Sequence, residues 1–108
     1  MEIKDFQKLI INISEDDIEF DDPHVTKRCK ENNITKEIIV KYLLHDVNKL
    51  SKIIEDRPKV YKLYFKISGK RQLKLIIDLF KYEKIMVRTV KILNPKLFKK
   101  IKLVKRRR

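Results

Sequence analysis

Apolar positions in the first part of the chain recur at intervals of three and four residues. Those near the amino terminus are Ile3, Phe6, Leu9, Ile10 and Ile13. This spacing places the side chains on one face of an α-helix. It predicts a helix over residues 3–13 that covers part of a hydrophobic core.

Two further helices are predicted before residue 50. Asp22-Pro23 has the residue types of a helix start, with Asp22 as the N-cap and Pro23 at the first helical position. This helix should run to about Glu31 and stop at Asn32-Asn33, because asparagine tolerates the left-handed conformation of a helix end.

The next helix is predicted to begin at Thr35, whose hydroxyl is a suitable cap. Its apolar positions are Ile38, Ile39, Tyr42 and Leu43. His45 follows them and is expected to end the helix.

After about residue 50 the period changes from helical to alternating, which is typical of half-buried β-strands. Strands are predicted over 52–57, 60–67, 73–79 and 85–92, with turns at 58–59, 68–70 and 81–83. Along the second of these, Tyr61 and Leu63 belong to one face, whereas Tyr64 belongs to the other. Tyr61 is therefore expected in the core and Tyr64 on the opposite surface.

The order of elements predicts an α+β fold: two or three N-terminal helices packed on a three- to four-stranded antiparallel sheet. The chain then divides into an acidic N-terminal arm at 1–22, the α+β domain at 23–93 and a basic C-terminal tail at 94–108. A length of 108 residues suits one domain with a modest core.

Charge is unevenly distributed along the chain. Residues 1–22 hold eight acidic and two basic side chains, whereas the other 86 residues hold seven acidic and 26 basic ones. The formal net charge of +13 exceeds the magnitude of about 2–8 that keeps a small domain soluble. A polyanion partner, above all a nucleic acid, is favoured over a merely solubilising surface.

The C-terminal tail is a second candidate for phosphate contacts. Leu97, Phe98, Ile101 and Val104 have the spacing of one helical stripe. The other face of such a helix would present Lys99, Lys102, Lys105 and Arg106 to a nucleic-acid backbone. The alternative is a disordered, solubilising end.

Four short segments carry a resemblance to a known family. They are His24-Val25-Thr26-Lys27-Arg28, Asn33-Ile34-Thr35, Ser68-Gly69-Lys70-Arg71 and Val87-Arg88-Thr89-Val90. Over about residues 20–92 the chain resembles a family of small proteins related to the RelE/ParE toxins. Many of those relatives carry Arg-Gly where this chain has Asn32-Asn33, so one helix-borne arginine is missing.

This resemblance implies the fold of the RelE/ParE superfamily and a toxin-like, nucleic-acid-binding protein, for which ribonuclease activity is one candidate because the superfamily comprises ribonucleases and gyrase poisons. It also implies an acidic antitoxin as a partner. Metal-independent RNA cleavage needs an acid, a base and cations that hold the phosphate. The candidate catalytic residues are His24, Arg28, Arg71 and Arg88, and further nucleic-acid contacts are expected from Lys27, Tyr64 and Lys70.

Each candidate also has a plain structural interpretation. His24 could cap a helix, Arg28 could pair with Glu31 or Asp21, and Arg71 and Arg88 could be ordinary exposed strand residues. Non-catalytic RNA or DNA binding, and a partner-binding subunit, therefore stay open beside the ribonuclease, with RNA favoured over DNA.

Other classes of site lack the residues that they need. Cys29, His24 and His45 are too few ligands for a structural zinc ion, and no glycine-rich phosphate loop is present. No metal and no cofactor are expected. With one cysteine, no apolar run long enough for a bilayer and no secretion signal, we expect a cytoplasmic protein without a membrane partner.

Overall fold

The computed structural model of the chain describes residues 1–94. Within that range it contains three α-helices, two short 3₁₀-helices and five β-strands. The helices are α1 (Ile3–Ile10), α2 (His24–Glu31) and α3 (Lys36–Leu44), and the 3₁₀-helices are Glu15–Asp17 and Val47–Lys49. The strands are β1 (Ile18–Phe20), β2 (Leu50–Arg57), β3 (Val60–Lys66), β4 (Gln72–Lys81) and β5 (Lys84–Leu93).

The helix boundaries follow the predicted capping residues closely. The Thr35 hydroxyl accepts a hydrogen bond from the N–H of Ile38 and so caps α3, which ends at His45. Asn33 adopts a left-handed backbone with φ of 53° just after α2, as expected for a helix stop. At the start of α2 the structure shifts the cap by one position. Pro23 precedes the first helical residue, and the Asp22 carboxylate accepts from the N–H of Thr26.

The sheet has the strand order β1-β5-β4-β3-β2. Strands β2 to β5 form the expected antiparallel meander, in which each strand pairs with the next one along the chain. The α+β class is confirmed. However, the sheet has five strands and is mixed, because β1 pairs with β5 in parallel and becomes an additional edge strand. The expectation of three to four strands, all antiparallel, was wrong for this reason.

The core lies between the helices and one face of the sheet. From the helices it receives Phe6, Ile10, Val25, Cys29, Ile39 and Leu43, and from the strands it receives alternate positions such as Leu63, Phe65, Leu73, Leu75, Ile77, Ile85 and Val87. Tyr61 is 8% exposed and belongs to this core, as predicted. The helices therefore cover one face, and the intervening strand positions are left on the opposite, open face.

Residues 1–22, predicted as an acidic N-terminal arm and here called the acidic segment, are part of this fold and not a separate arm. Its first half supplies Phe6 and Ile10 to the core, and Ile13 and Ile18 follow them there. Its carboxylates pair with basic residues of the domain: Asp17 with Lys84, Asp21 with Arg88 and Asp22 with Lys36. Apolar residues spaced between the acidic ones anchor the segment in the core. Its net charge alone gives no indication of this packing.

No helix within residues 1–94 combines the length and the apolar character needed to cross a bilayer. Of the basic tail at 94–108, residues 95–108 lie outside the described residues, among them Lys99, Lys102, Lys105 and Arg106. The expectation that the tail contacts nucleic acid therefore stays a prediction.

Candidate nucleic-acid interface

The open face of the sheet carries a row of basic residues around one tyrosine. The antiparallel registers pair Lys52 with Tyr64, Tyr64 with Lys74, and Lys74 with Lys91. These four residues, here called the lysine row, therefore run straight across β2, β3, β4 and β5. At about 4.8 Å between neighbouring strands, the row spans about 14 Å.

Tyr64 is the centre of the lysine row. The Nζ atoms of Lys52 and Lys74 each lie 5.9 Å from the centroid of its ring, one from each neighbouring strand. Both distances fall within the range of a cation–π interaction, which holds the ammonium groups near the ring. The half-buried ring and the two flexible lysines together form a cationic aromatic platform.

The charge of the lysine row is not neutralised locally. Within residues 1–94, neither Lys52, Lys74 nor Lys91 forms an ion pair with a carboxylate. Two other bases on the open face are paired, since Lys62 lies 3.7 Å from Asp56 and Arg88 lies 2.8 Å from Asp78, whereas Lys66 forms no ion pair within residues 1–94. The lysine row therefore contributes three cations without carboxylate partners to the positive potential of this face.

Arg88, a predicted catalytic residue, is occupied by two carboxylates. It stands at a bulge in β5, where the partners of Ile76 and Ile77 skip from Thr89 to Val87. One guanidinium nitrogen lies 2.8 Å from Asp78 and another 3.4 Å from Asp21, and the hydrogen bond that the guanidinium donates to Asp78 is the main cause that raises the pKa of Arg88. Arg88 thus links β4, β5 and the acidic segment, and two of its guanidinium nitrogens already donate to carboxylates.

Arg28 lies beside the open face, at the rim of a groove. The groove has a volume of about 310 Å³ and separates α2 from β4 and β5. Its lining residues are Arg28, Glu31, Asn32, Lys74, Ile76, Thr89, Val90 and Lys91. Arg28 pairs with Glu31 at 2.9 Å, one of the two pairings that the sequence suggested. The groove joins the lysine row directly, because Lys74 and Lys91 belong to both.

The four predicted catalytic residues do not form one compact cluster. His24 is exposed one turn before Arg28 on the same side of α2. Arg71 lies at the β3–β4 hairpin, where its carbonyl accepts from the N–H groups of Ile67 and Ser68. Its neighbour Gln72 pairs with Leu93, whereas Arg88 lies opposite Ile76 and Ile77, so Arg71 is about 18 Å along the sheet from Arg88.

Two predicted nucleic-acid contacts lie on other surfaces. Lys27 is exposed on α2, and Lys70 is exposed in the β3–β4 hairpin. The residues that the sequence missed are Lys52, Lys74 and Lys91. Each occupies a polar position of an alternating strand, but only the register of the strands shows that Lys52 and Lys74 flank Tyr64 and that Lys91 continues the row beside Lys74.

The other reactive side chains offer no competing site. Burial raises the pKa of the Cys29 thiol, which disfavours the nucleophilic thiolate. Within residues 1–94, no three His, Cys, Asp or Glu side chains come together in a way that could hold a metal ion.

Comparison with known proteins adds no relative: no protein-family model, no curated protein and no solved structure matches this chain.

Proposed function

We propose that this protein binds single-stranded RNA on the open face of its sheet. The observation that carries the proposal is the lysine row, Lys52–Tyr64–Lys74–Lys91, aligned by register across four strands. Proteins that bind single strands combine a basic surface for the phosphates with aromatic rings on which bases stack. The row supplies both elements on one exposed surface.

The charge and geometry of the row favour an unpaired strand. Unpaired bases can be splayed onto an aromatic ring, whereas bases inside a duplex are already stacked and present only their edges. A base on Tyr64 would lie between the ammonium groups of Lys52 and Lys74, which are then placed to contact the phosphates on either side. Lys91 would extend these contacts toward the groove.

Binding of a fluorescein-labelled single-stranded RNA, measured by anisotropy, tests the proposal. Tyr64→Ala should weaken binding by about tenfold or more, since stacking of one base contributes roughly 1–3 kcal/mol. Tyr64→Phe keeps the ring and should bind nearly as well as the wild type. Equal affinities of Tyr64→Ala and the wild type would contradict the proposal.

A charge-matched pair of double variants isolates the row from the net charge. Lys52→Ala with Lys74→Ala should lose most of the affinity. Lys8→Ala with Lys81→Ala removes the same charge from exposed positions on α1 and at the end of β4, and it should bind almost as well as the wild type. Similar losses in both variants would indicate a diffuse electrostatic attraction and no defined site.

RNA cleavage is a second candidate, favoured by the placement of His24 and Arg28 on one side of α2. Arg88 donates to two carboxylates and Arg71 lies at the far end of the sheet, so these two arginines do not complete a single cluster with His24 and Arg28. RNA cleavage therefore stays a prediction. Incubation with end-labelled RNA would test it. Fragments produced by the wild type and lost in His24→Ala, by about 10²-fold or more, would support a histidine acid or base.

The acidic antitoxin implied by the resemblance is a different kind of partner for the same charge. An acidic protein offers carboxylates to the lysines but no nucleobase to Tyr64. Binding of such a partner should therefore be weakened by loss of the lysines and unaffected by Tyr64→Ala, which distinguishes it from RNA.

A further inference from the structure

We propose that the groove between α2 and the sheet selects a guanine base of the RNA, next to the RNA segment that the lysine row binds. This inference rests on the proposed RNA binding and adds a base preference to it. The groove volume of about 310 Å³ lies at the lower end of the roughly 300–1,000 Å³ typical of small-ligand sites. Lys74 and Lys91 line the groove. A nucleotide in the groove would therefore be continuous with an RNA segment bound on the lysine row.

The Arg28–Glu31 pair gives the groove both donors and acceptors. Nη1 of Arg28 donates to Oε2 of Glu31 at 2.9 Å. This bond leaves most of the N–H groups of Arg28 and the other carboxylate oxygen of Glu31 unused. The two side chains are 46% and 44% exposed. An exposed pair of this kind is weak, so a ligand can rearrange it at little cost.

The backbone around this pair is held in place by Asn32. Its side-chain amide donates to the carbonyl of Arg28 at 2.8 Å, and its oxygen accepts from the N–H of Ile92 at 2.9 Å. Asn32 therefore ties the end of α2 to β5 on both sides of the groove. Arg28 and Glu31 are attached to a fixed helix end, so the groove exists before a ligand binds.

Guanine matches this pair better than the other bases do. Its Watson–Crick edge presents two adjacent donors, N1–H and the N2 amino group, which one carboxylate can accept together. Its O6 and N7 are acceptors for an arginine. Adenine, cytosine and uracil each present a single donor group beside acceptors, so they leave one partner of the Arg28–Glu31 pair poorly satisfied.

Single-stranded heptanucleotides test the preference. The probes are all-uridine RNA and the same RNA with a central guanosine, inosine or adenosine. We expect the guanosine probe to bind about tenfold more tightly than the all-uridine probe, within the range that one bidentate base contact supplies. Inosine lacks the N2 amino group and should lose much of that gain, and adenosine should give none.

Glu31→Gln and a matched control identify the residue responsible. Glu31→Gln should bind the all-uridine RNA at least as well as the wild type and lose the preference for guanosine. Glu15→Gln removes an equal charge from an exposed 3₁₀-helix and should keep the preference. A thermal melt of each variant confirms that both are folded.

Two outcomes would overturn the inference, and they are distinguishable. If the wild type binds the guanosine and all-uridine probes equally, or if Glu31→Gln keeps the preference, the groove does not read guanine while RNA binding stands. If neither probe binds, the proposed function itself fails.

Discussion

At the scale of single residues, Asn32 has a larger role than a helix stop. Besides its bonds to Arg28 and Ile92, its amide lies 3.4 Å from the carbonyl of Val90, 58 positions along the chain. β1 pairs with Ile85, Met86 and Val87, and no strand within residues 1–94 pairs with this edge of β5 beyond them. Asn32 satisfies backbone groups on this edge and closes the sheet against α2.

We expect Asn32→Ala to lower the free energy of unfolding by about 1–3 kcal/mol, because it leaves partly buried backbone groups without partners. Urea unfolding followed by circular dichroism measures this change. Asn48→Ala, at an exposed position in the second 3₁₀-helix, is the control and should alter stability by less than about 0.5 kcal/mol. Equal effects of the two substitutions would contradict the assigned role.

Asp22 is a second residue whose surroundings determine its behaviour. Its carboxylate forms an ion pair with Lys36 and accepts hydrogen bonds from the hydroxyl and the N–H of Thr26. The bond from Lys36, followed by those from Thr26, holds the pKa of Asp22 below its ordinary value of 3.8. The ionised Asp22 carboxylate thus connects Thr26, in the first turn of α2, to Lys36 at the start of α3.

This lowered pKa predicts a pH-dependent effect of Asp22→Asn. A carboxylate whose pKa is depressed by folding stabilises the protein above its unfolded pKa, and the contribution disappears as the pH falls through the folded value. We expect Asn at position 22 to lower the melting temperature at about pH 7. The difference from wild type should shrink as the pH falls below about 4. Thermal melts across this range would contradict the interpretation if the difference were constant.

At the scale of elements, β1 is the strand that the alternation of the sequence could not reveal. It has three residues, Ile18–Phe20, and pairs in register with Ile85, Met86 and Val87. Three residues are too few to establish a period of two, and acidic residues surround them. The pairing depends on β5, which is more than 60 positions away.

Deletion of residues 1–20 should therefore unfold the protein. It removes Phe6, Ile10, Ile13 and Ile18 from the core. At about 1.5–3 kcal/mol for each buried side chain, the loss is comparable to the roughly 5–15 kcal/mol by which a domain is stable. Circular dichroism and thermal denaturation of the truncated chain measure the result. A cooperative transition at the wild-type temperature would show that this segment is dispensable.

At the scale of the whole molecule, the charges are sorted between surfaces. The end of the acidic segment lies at the β1 edge, where Asp17, Asp21 and Asp22 pair with Lys84, Arg88 and Lys36. The lysine row lies across the open face, away from these carboxylates. The uneven charge along the chain thus becomes an uneven charge in space, which can orient a polyanion toward one face.

This separation predicts how salt should affect RNA binding. Each phosphate contact on a single strand contributes about 0.7 to the slope of log K against log salt. Lys74→Ala should reduce the magnitude of the slope by about that amount, and Lys8→Ala should leave it nearly unchanged. Anisotropy titrations at several salt concentrations measure both slopes, and a flat salt dependence of the wild type would contradict the phosphate contacts.

Local patterns in the sequence were sufficient for the α+β class, the cap of α3 and the antiparallel meander of β2 to β5, whereas the predicted N-cap of α2 was one residue too early. Capping residues act within a few positions, and alternation along a strand assigns side chains to opposite faces without knowledge of the partner strand. For the same reason Tyr61 and Tyr64 could be assigned to opposite faces. Net charge alone indicated a polyanion partner, and this remains a proposal.

Long-range contacts decided the rest, because no local pattern encodes them. The lysine row exists only through the register of three strand pairs, and the bulge at Arg88 depends on how β5 meets β4. Tertiary contacts also decide which basic side chains form ion pairs, because their carboxylate partners can be far away in the sequence. Asp21, for example, pairs with Arg88, 67 positions along the chain. Residue types along the chain can suggest which side chains could bind a phosphate, whereas tertiary structure determines which are already paired and which converge on one surface.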